Sequence, residues 1–246
     1  MNNRRTPKRN FLLHALSPEI YARLEEHLQI ISLPRDCDIY QHSGKIDYVY
    51  FPISSIVSVV KIMEDGSSPE VAVIGRDGLV GIDLFLGSTS VNSKVFVQSA
   101  GYGFRIKAAL IKKEFDNSQE LRNLILGYMQ SLFIQSSQIA ACYRFHSIEH
   151  QVCRFLLGCL DRWDSNRISL THERIANLLG VRRGSVTEVS GHLAKAGYIE
   201  YRRGCVTVLD RAGLESIVCE CYEVMKKEMV PKTAPVRASA NGARSS

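Results

Sequence analysis

Two periodicities divide the chain near residue 117. Before it, apolar and β-branched residues come in short runs: Tyr48-Val-Tyr-Phe51, Ile56 through Ile62, Glu70-Val-Ala-Val-Ile74 and Lys94-Val-Phe-Val-Gln98. Runs of this kind at intervals of roughly 8–12 residues predict the strands of a barrel or β-roll. Eight of the 17 glycines lie between Gly44 and Gly103 and supply the turns. Asp65-Gly66 and Asp77-Gly78 read as hairpin turns. Ahead of the strands, Ser17 before Pro18 marks a helix start, with serine as N-cap and proline in the first turn.

After 117 the period lengthens. Leu121, Ile125, Tyr128, Leu132, Gln135, Ile139 and Cys142 are spaced alternately four and three apart, a 3.5-residue seam. Such a seam predicts a dimerisation helix over about 117–143 that pairs with its own copy, Gln135 pinning the register. Leu124, Met129, Phe133 and Ile134 form a second apolar face that could lie on the β-roll. One wide amphipathic face within a monomer is the alternative. Residues 123–143 carry no formal charge, yet Asn123, Gln130, Ser131, Gln135, Ser136, Ser137 and Gln138 are too polar for a lipid-facing span. A further helix is predicted from Ser147 to about Arg162, and a last one from about Arg211 to Lys227. Residues 231–246 lose all apolar periodicity and are expected to form a disordered tail.

Between those helices, His172 to Gly191 repeats one helical pattern twice around a sharp turn. Thr171 caps a first helix that buries Ile175, Leu178 and Leu179. Ala176 is small where a second helix crosses, and Gly180 suits a left-handed turn. Val186, Val189 and Leu193 then form the buried side of the second helix, leaving Ser185, Glu188 and His192 outward. This is helix-turn-helix grammar; a purely structural helical hairpin is the alternative. Tyr198 to Tyr201 and Cys205 to Leu209 read as two strands joined by Arg202-Arg203-Gly204, which makes a wing.

Composition changes the picture only through where the charge sits. The chain has 246 residues, enough for two modest domains, with 45% hydrophobic and 23% charged residues. Net charge is +6. From Val181 to Gly204, Arg182, Arg183, Lys195, Arg202 and Arg203 face only Glu188 and Glu200, leaving a net +3 at the second helix and the wing. A basic tip on a reading helix is where duplex phosphates are met. Arg4, Arg5, Lys8 and Arg9 make residues 1–10 a basic, flexible arm. Seven cysteines without regular spacing, and no secretory leader, point to a reducing cytoplasm.

Taken together the chain resembles the Crp/Fnr transcriptional regulators, named for the cyclic-AMP receptor protein and the fumarate-nitrate reductase regulator. The segment Leu179-Gly-Val-Arg-Arg-Gly-Ser-Val-Thr187, with Tyr201-Arg-Arg-Gly204 and Cys219-Glu-Cys-Tyr222, is similar to a subgroup lacking an assigned ligand. The resemblance implies an α+β chain: a cyclic-nucleotide-binding-like β-roll with a dimerisation helix over 11–145, then a winged helix-turn-helix DNA-binding domain over 147–230. It implies a homodimeric bacterial transcription regulator, not an enzyme, that binds a pseudo-palindromic duplex site. RNA polymerase is a further partner if the protein activates. By position, Arg183 matches a base-contacting arginine. Gly184 stands where a base-reading Glu is usual, and Glu188 stands where a second arginine is usual. Arg182, Ser185, Thr187, His192, Arg202 and Arg203 complete the expected DNA surface.

The family's cyclic-nucleotide pocket is expected to be degenerate. Its Gly-Glu-Leu-Gly turn beneath the ribose corresponds to Gly78, Leu79, Val80 and Gly81, and its phosphate-binding Arg-Ser pair to Asn92 and Ser93. The ribose carboxylate and the phosphate arginine are both missing, which disfavours cyclic AMP. A cyclic-nucleotide-responsive regulator, or a redox- or metal-sensing one, is the alternative on the same fold. A ligand-binding or protein-interaction module without DNA binding is the alternative from another class. His146-Ser-Ile-Glu-His150 matches the zinc-peptidase H-x-x-E-H pattern by spacing alone. Cys219 and Cys221, two apart on one helix, would point away from each other, and the remaining Cys37, Cys142, Cys153, Cys159 and Cys205 read as buried apolar residues. No metal and no cofactor are therefore expected.

Overall fold

The glycine-punctuated half folds into two antiparallel sheets on which the long helix and the junction are built. The computed structural model describes residues 5–229. Helices α1 (Phe11–His14) and α2 (Pro18–Glu25) come first, the latter capped by the Ser17 hydroxyl as its sequence requires. Strands β1 (Gln29–Leu33), β2 (Asp38–Tyr40), β3 (Tyr48–Pro52), β4 (Ile56–Val60), β5 (Glu70–Ile74), β6 (Lys94–Ser99) and β7 (Gly101–Lys107) follow. They form sheets ordered β1-β7-β3 and β2-β6-β4-β5. Gly101 is obligatory at the entrance to β7, because a Cβ there would sit 1.9 Å from the Ser54 carbonyl oxygen. Helix α3 (Ala108–Asn117) then leads into the long helix α4 (Gln119–Phe145).

The C-terminal half opens with α5 (Ile148–Arg162), capped by Ser147, and the short strand β8 (Arg167–Ile168). Helices α6 (His172–Leu179) and α7 (Arg183–Lys195) are followed by the hairpin β9 (Ile199–Arg202) and β10 (Cys205–Val208), and β10 also pairs with β8. The chain ends in α8 (Arg211–Ile217) and α9 (Cys221–Lys227). The single helix expected over 211–227 is broken: Val218 is extended (φ −74°, ψ 153°) and Cys219 and Glu220 form a turn. No described helix is long and apolar enough to cross a membrane.

Two further expectations change, while one holds. Asp65-Gly66 does lie in the β4–β5 hairpin, where Asp65 accepts the Ser67 amide at 2.9 Å. Asp77-Gly78 joins no hairpin; the chain crosses there from β5 so that Val80 bridges to Tyr50. The basic arm is docked from residue 5 onward. Arg5 lies over the Tyr102 ring, Lys8 over the Tyr21 ring, and Arg9 pairs with Asp164. Asn10 is fully buried: its Oδ1 caps the Leu12 and Leu13 amides and its Nδ2 donates to the Pro52 and Gly78 carbonyls. Arg4 and the tail 231–246 lie outside the described residues.

The boundary expected at 146 is a change of direction rather than a gap in packing. Ile56, Val60, Val73 and Phe96 of the β-roll share one core with Val152, Leu156, Leu157, Cys159 and the helix-turn-helix residues Ile175, Leu178, Leu179, Val186 and Leu193. Arg162 of α5 pairs with Asp77 across this junction at 2.7 Å, both side chains almost wholly buried.

The largest correction concerns α4, whose expected seam faces its own chain. Leu121, Ile125 and Tyr128 are buried with Leu124 against α1, α2 and the β-roll, and the Tyr128 hydroxyl donates to the Leu79 carbonyl at 3.0 Å. Gln135 brackets the Val73 backbone, accepting from its amide at 2.8 Å and donating to its carbonyl at 3.3 Å. Ser136 donates to the Val71 carbonyl and Tyr143 to that of Glu70. The physical reason is that β5 is a sheet edge with unpaired backbone groups, and α4 supplies their partners. Ile139 is buried, Leu132 half-buried, and Cys142 turns toward the C-terminal segment. What α4 leaves open is a different 3.5-residue stripe: Asn123, Leu126, Gln130, Phe133, Ser137, Ala140 and Arg144, all exposed, with Phe133 at 74%.

Candidate functional site

Thr171 accepts the Arg174 amide at 3.1 Å and starts α6; Gly180 at φ +66° ends it and turns the chain into α7. The apolar residues foreseen for both helices are buried, except that Val189 is only partly so, and Ala176 lies at the crossing. Their burial leaves Arg182, Arg183, Gly184, Thr187, Glu188 and His192 exposed and Ser185 half-exposed. Arg182 is the N-cap of α7 and Arg183 its first residue. Both guanidiniums therefore stand at the positive end of the helix dipole, a position that repels cations and welcomes phosphate.

The wing is built by Arg203 (φ +49°) and Gly204 (φ +74°), the paired left-handed residues of a tight hairpin. Among the described residues, no ion pair engages Arg182, Arg183 or Arg203, while Arg202 pairs with Glu200 at 2.8 Å. His172 ties wing to reading helix: its ring stacks on Tyr201, centroids 3.8 Å apart, and its Nδ1 lies 3.1 Å from the Thr187 hydroxyl. Burial, and then the Arg183 charge, hold its pKa below the ordinary histidine range. His172 went unremarked in the sequence except as the first residue of the motif.

The expected effector residues separate. Leu79, Val80, Gly81 and Ser93 line a cavity of about 390 Å³ between the β-roll and α4, closed on the helix side by Met129, Leu132 and Phe133. Gly78 is instead packed beneath Tyr128, whose hydroxyl would lie 2.2 Å from a Cβ, and Asn92 is exposed, its carbonyl accepting from Lys61. Among the described residues Asp83 is the lone formally charged one in the lining, and burial raises its pKa.

The cysteines also depart from expectation. Cys37 is exposed and Cys205 half-buried, whereas Cys153 and Cys159 are buried, with thiols pushed up to about 12 by desolvation. His146 follows the last turn of α4 in an extended conformation, so it shares no helix with His150 and the H-x-x-E-H spacing has lost its geometry. Because the last helix breaks at 218–220, Cys219 and Cys221 do not diverge. With Cys142 and His146 they bring four ligand atoms within 4.8 Å of one another. The expectation that Cys219 and Cys221 point away from each other thus fails on geometry. Cys142-x₃-His146 and Cys219-x-Cys221 were the signal that could have found the cluster.

Residues 150–217 match the Crp-like helix-turn-helix domain family. The global nitrogen regulator of Synechococcus elongatus is 22% identical over 198 residues, covering 76% of this chain and 88% of that protein. FixK2 of Bradyrhizobium japonicum superposes with a TM-score of 0.67 at 15% identity, over 78% of this chain and 98% of that one. A Crp/Fnr-family transcriptional regulator from Eubacterium rectale gives 0.65 at 18% identity, over 86% and 97%. The regulator CLP of Xanthomonas campestris, described as responsive to c-di-GMP, gives 0.62 at 15% identity, over 79% and 100%. Residues 150–217 are a Crp-like helix-turn-helix domain, carried on a chain with the fold of the Crp/Fnr regulators.

Proposed function

We propose that the chain is a homodimeric, sequence-specific DNA-binding transcription regulator that inserts α7 into the major groove and sets the wing on flanking phosphates. The observation that carries this reading is the pair of exposed arginines, without acidic partners among the described residues, at the N-terminal end of α7, tied through His172 to a wing that carries Arg203. Arg183 is assigned the bidentate contact to guanine, and Glu188 can accept from a cytosine amine. Gly184 offers no side chain, so the half-site reads at fewer positions than one with a glutamate there.

Fluorescence anisotropy on duplexes selected from a random library tests it. Arg183→Ala is expected to weaken the selected site about 10–100-fold and relax its specificity, the range of one bidentate base contact. Arg203→Ala is expected to weaken all duplexes alike and lower the salt slope by about one. Binding that ignores salt and survives both substitutions would favour a module without DNA binding.

We assign the dimer contact to the open stripe of α4, centred on Leu126 and Phe133, in place of the buried seam. Phe133→Glu is expected to give a monomer by sedimentation at micromolar concentration, with duplex affinity falling alongside; an unchanged dimer would move the interface elsewhere. The cavity favours an uncharged, apolar effector. Among the described residues its lining has no lysine or arginine to meet a phosphate, and Asp83 repels one when ionised. Calorimetry with cyclic AMP or cyclic GMP is accordingly expected to show no binding heat, and a clear isotherm would overturn the assignment.

A further inference from the structure

We infer that Cys142, His146, Cys219 and Cys221 form a closed, tetrahedral site for one borderline-soft divalent cation of the zinc class, clipping the end of α4 to the turn before α9. The four ligand atoms lie within 4.8 Å of one another, and two of their separations already match that ion. A tetrahedral zinc with bonds of about 2.3 Å to sulfur and about 2.0–2.1 Å to nitrogen needs ligand atoms about 3.8 Å (S···S) and about 3.6 Å (S···N) apart. Cys142 Sγ and Cys219 Sγ are 3.8 Å apart, and Cys221 Sγ lies 3.4 Å from His146 Nδ1. The three cysteines are buried, and His146 is partly so. Four protein ligands with no open position describe a structural site rather than a catalytic one.

The surroundings are those of bound thiolates. His146 turns its other nitrogen, Nε2, to Glu220 Oε1 at 3.3 Å, the carboxylate–imidazole relay that fixes a metal-binding tautomer. Gln138 Nε2 points at Cys221 Sγ from 3.1 Å and Arg154 Nε at Cys142 Sγ from 3.3 Å. Arg154 is the independent observation. It is 3% exposed, no carboxylate among the described residues pairs with it, and its Nη2 has no hydrogen-bond partner. A buried guanidinium needs an anion nearby. When a divalent ion loads, three thiol protons leave to solvent and imidazole binds through neutral Nδ1, so the cluster carries one net negative charge opposite Arg154.

The site joins residues far apart in sequence across the junction where sensor helix meets reading domain. Loading it therefore sets how α9 sits on α4, whether or not duplex DNA is present.

Cobalt(II) titration of the reduced full-length chain tests the assignment directly. One equivalent is expected to give the visible ligand-field and near-ultraviolet thiolate charge-transfer bands of a tetrahedral site, and zinc is expected to erase them. Cys219→Ser and Cys221→Ser are expected to weaken cobalt binding at least tenfold, while Cys153→Ser, outside the cluster, leaves it unchanged. Native mass spectrometry of the unsubstituted chain supplies a reading that needs no variant, with the mass of one zinc ion expected and lost to chelator. Absence of both signals would overturn the site. So would bands that persist in both serine variants, a Cys142–Cys219 disulfide that survives reductant, or an iron–sulfur chromophore after anaerobic reconstitution with iron and sulfide.

Discussion

Asp77→Ala is expected to destabilise the protein by about 3–5 kcal/mol, the cost of leaving a buried charge without its partner. Asp77 Oδ2 lies 2.7 Å from Arg162 Nη2, and Oδ1 accepts from Arg162 Nε at 3.1 Å and from the Gly75 amide at 2.9 Å. Arg162 also donates to the Gly158 carbonyl, but no other acid pairs with it among the described residues. Truncation thus strands a guanidinium inside the junction between β-roll and α5. Asp164 is the matched control at the same junction. It pairs with Arg9 and Arg76 but is half exposed, and Asp164→Ala is expected to cost only about 0.2–1 kcal/mol. Urea denaturation separates the two: the Asp77 variant should lose a large part of its midpoint concentration, the Asp164 variant almost none. Equal shifts would show that the junction is held by its apolar core alone. Removing both charges, with Asp77→Asn and Arg162→Met together, is expected to recover much of the loss.

Raising the pH from about 4.5 to neutrality is expected to weaken the fold, and Glu70 is the reason. Glu70 opens β5 with its side chain buried, its Oε1 without a hydrogen-bond partner among the described residues. Burial pushes its pKa from 4.5 up to about 7, against the opposing pull of the Ser58 hydroxyl and the charges of Arg154 and Arg162. The folded chain therefore holds this proton more tightly than the unfolded chain does. Glu70's contribution is full below pH 4.5, declines by about 1.4 kcal/mol per pH unit up to about 7, and is gone above it. Glu70→Gln, which mimics the protonated carboxyl, is expected to flatten this slope and to gain about 3 kcal/mol at pH 8. Stability measured from pH 5 to 8 on both proteins checks it; parallel curves would place the ionisation elsewhere.

Legibility in the sequence followed local chemistry. The two reading helices, their caps and the wing came through because each element carries its own signal: Thr171 at a start, Gly180 at a turn, Arg203-Gly204 at a hairpin. Strands β3 to β6 came through for the same reason. Strand β7 did not, because Gly101 and Gly103 are needed for close backbone approach and dilute the apolar alternation. The break at Val218 carries neither glycine nor proline, so the last helix read as continuous and the convergence of Cys219 with Cys221 was lost with it.

Helix α4 shows a subtler limit. A 3.5-residue repeat states that one face is continuously covered, not by what. Here an edge strand and the C-terminal segment cover it, and Gln135, read as a register pin between copies, hydrogen-bonds to Val73 instead. The open stripe escaped notice because Asn123, Gln130, Ser137 and Arg144 alternate with its apolar members. The cavity was half legible: Leu79 and Ser93 reach it, while Asn92, chosen by motif position, faces solvent.

Phe133 stands both on that stripe and on the rim of the cavity beneath it. A molecule filling the cavity and a second helix lying on the stripe would press on the same ring from its two sides. Their occupancies are then thermodynamically linked, and the linkage is reciprocal: whatever factor a ligand adds to subunit affinity, assembly returns to ligand affinity. A sensor built this way would be as responsive to its own concentration as to its signal.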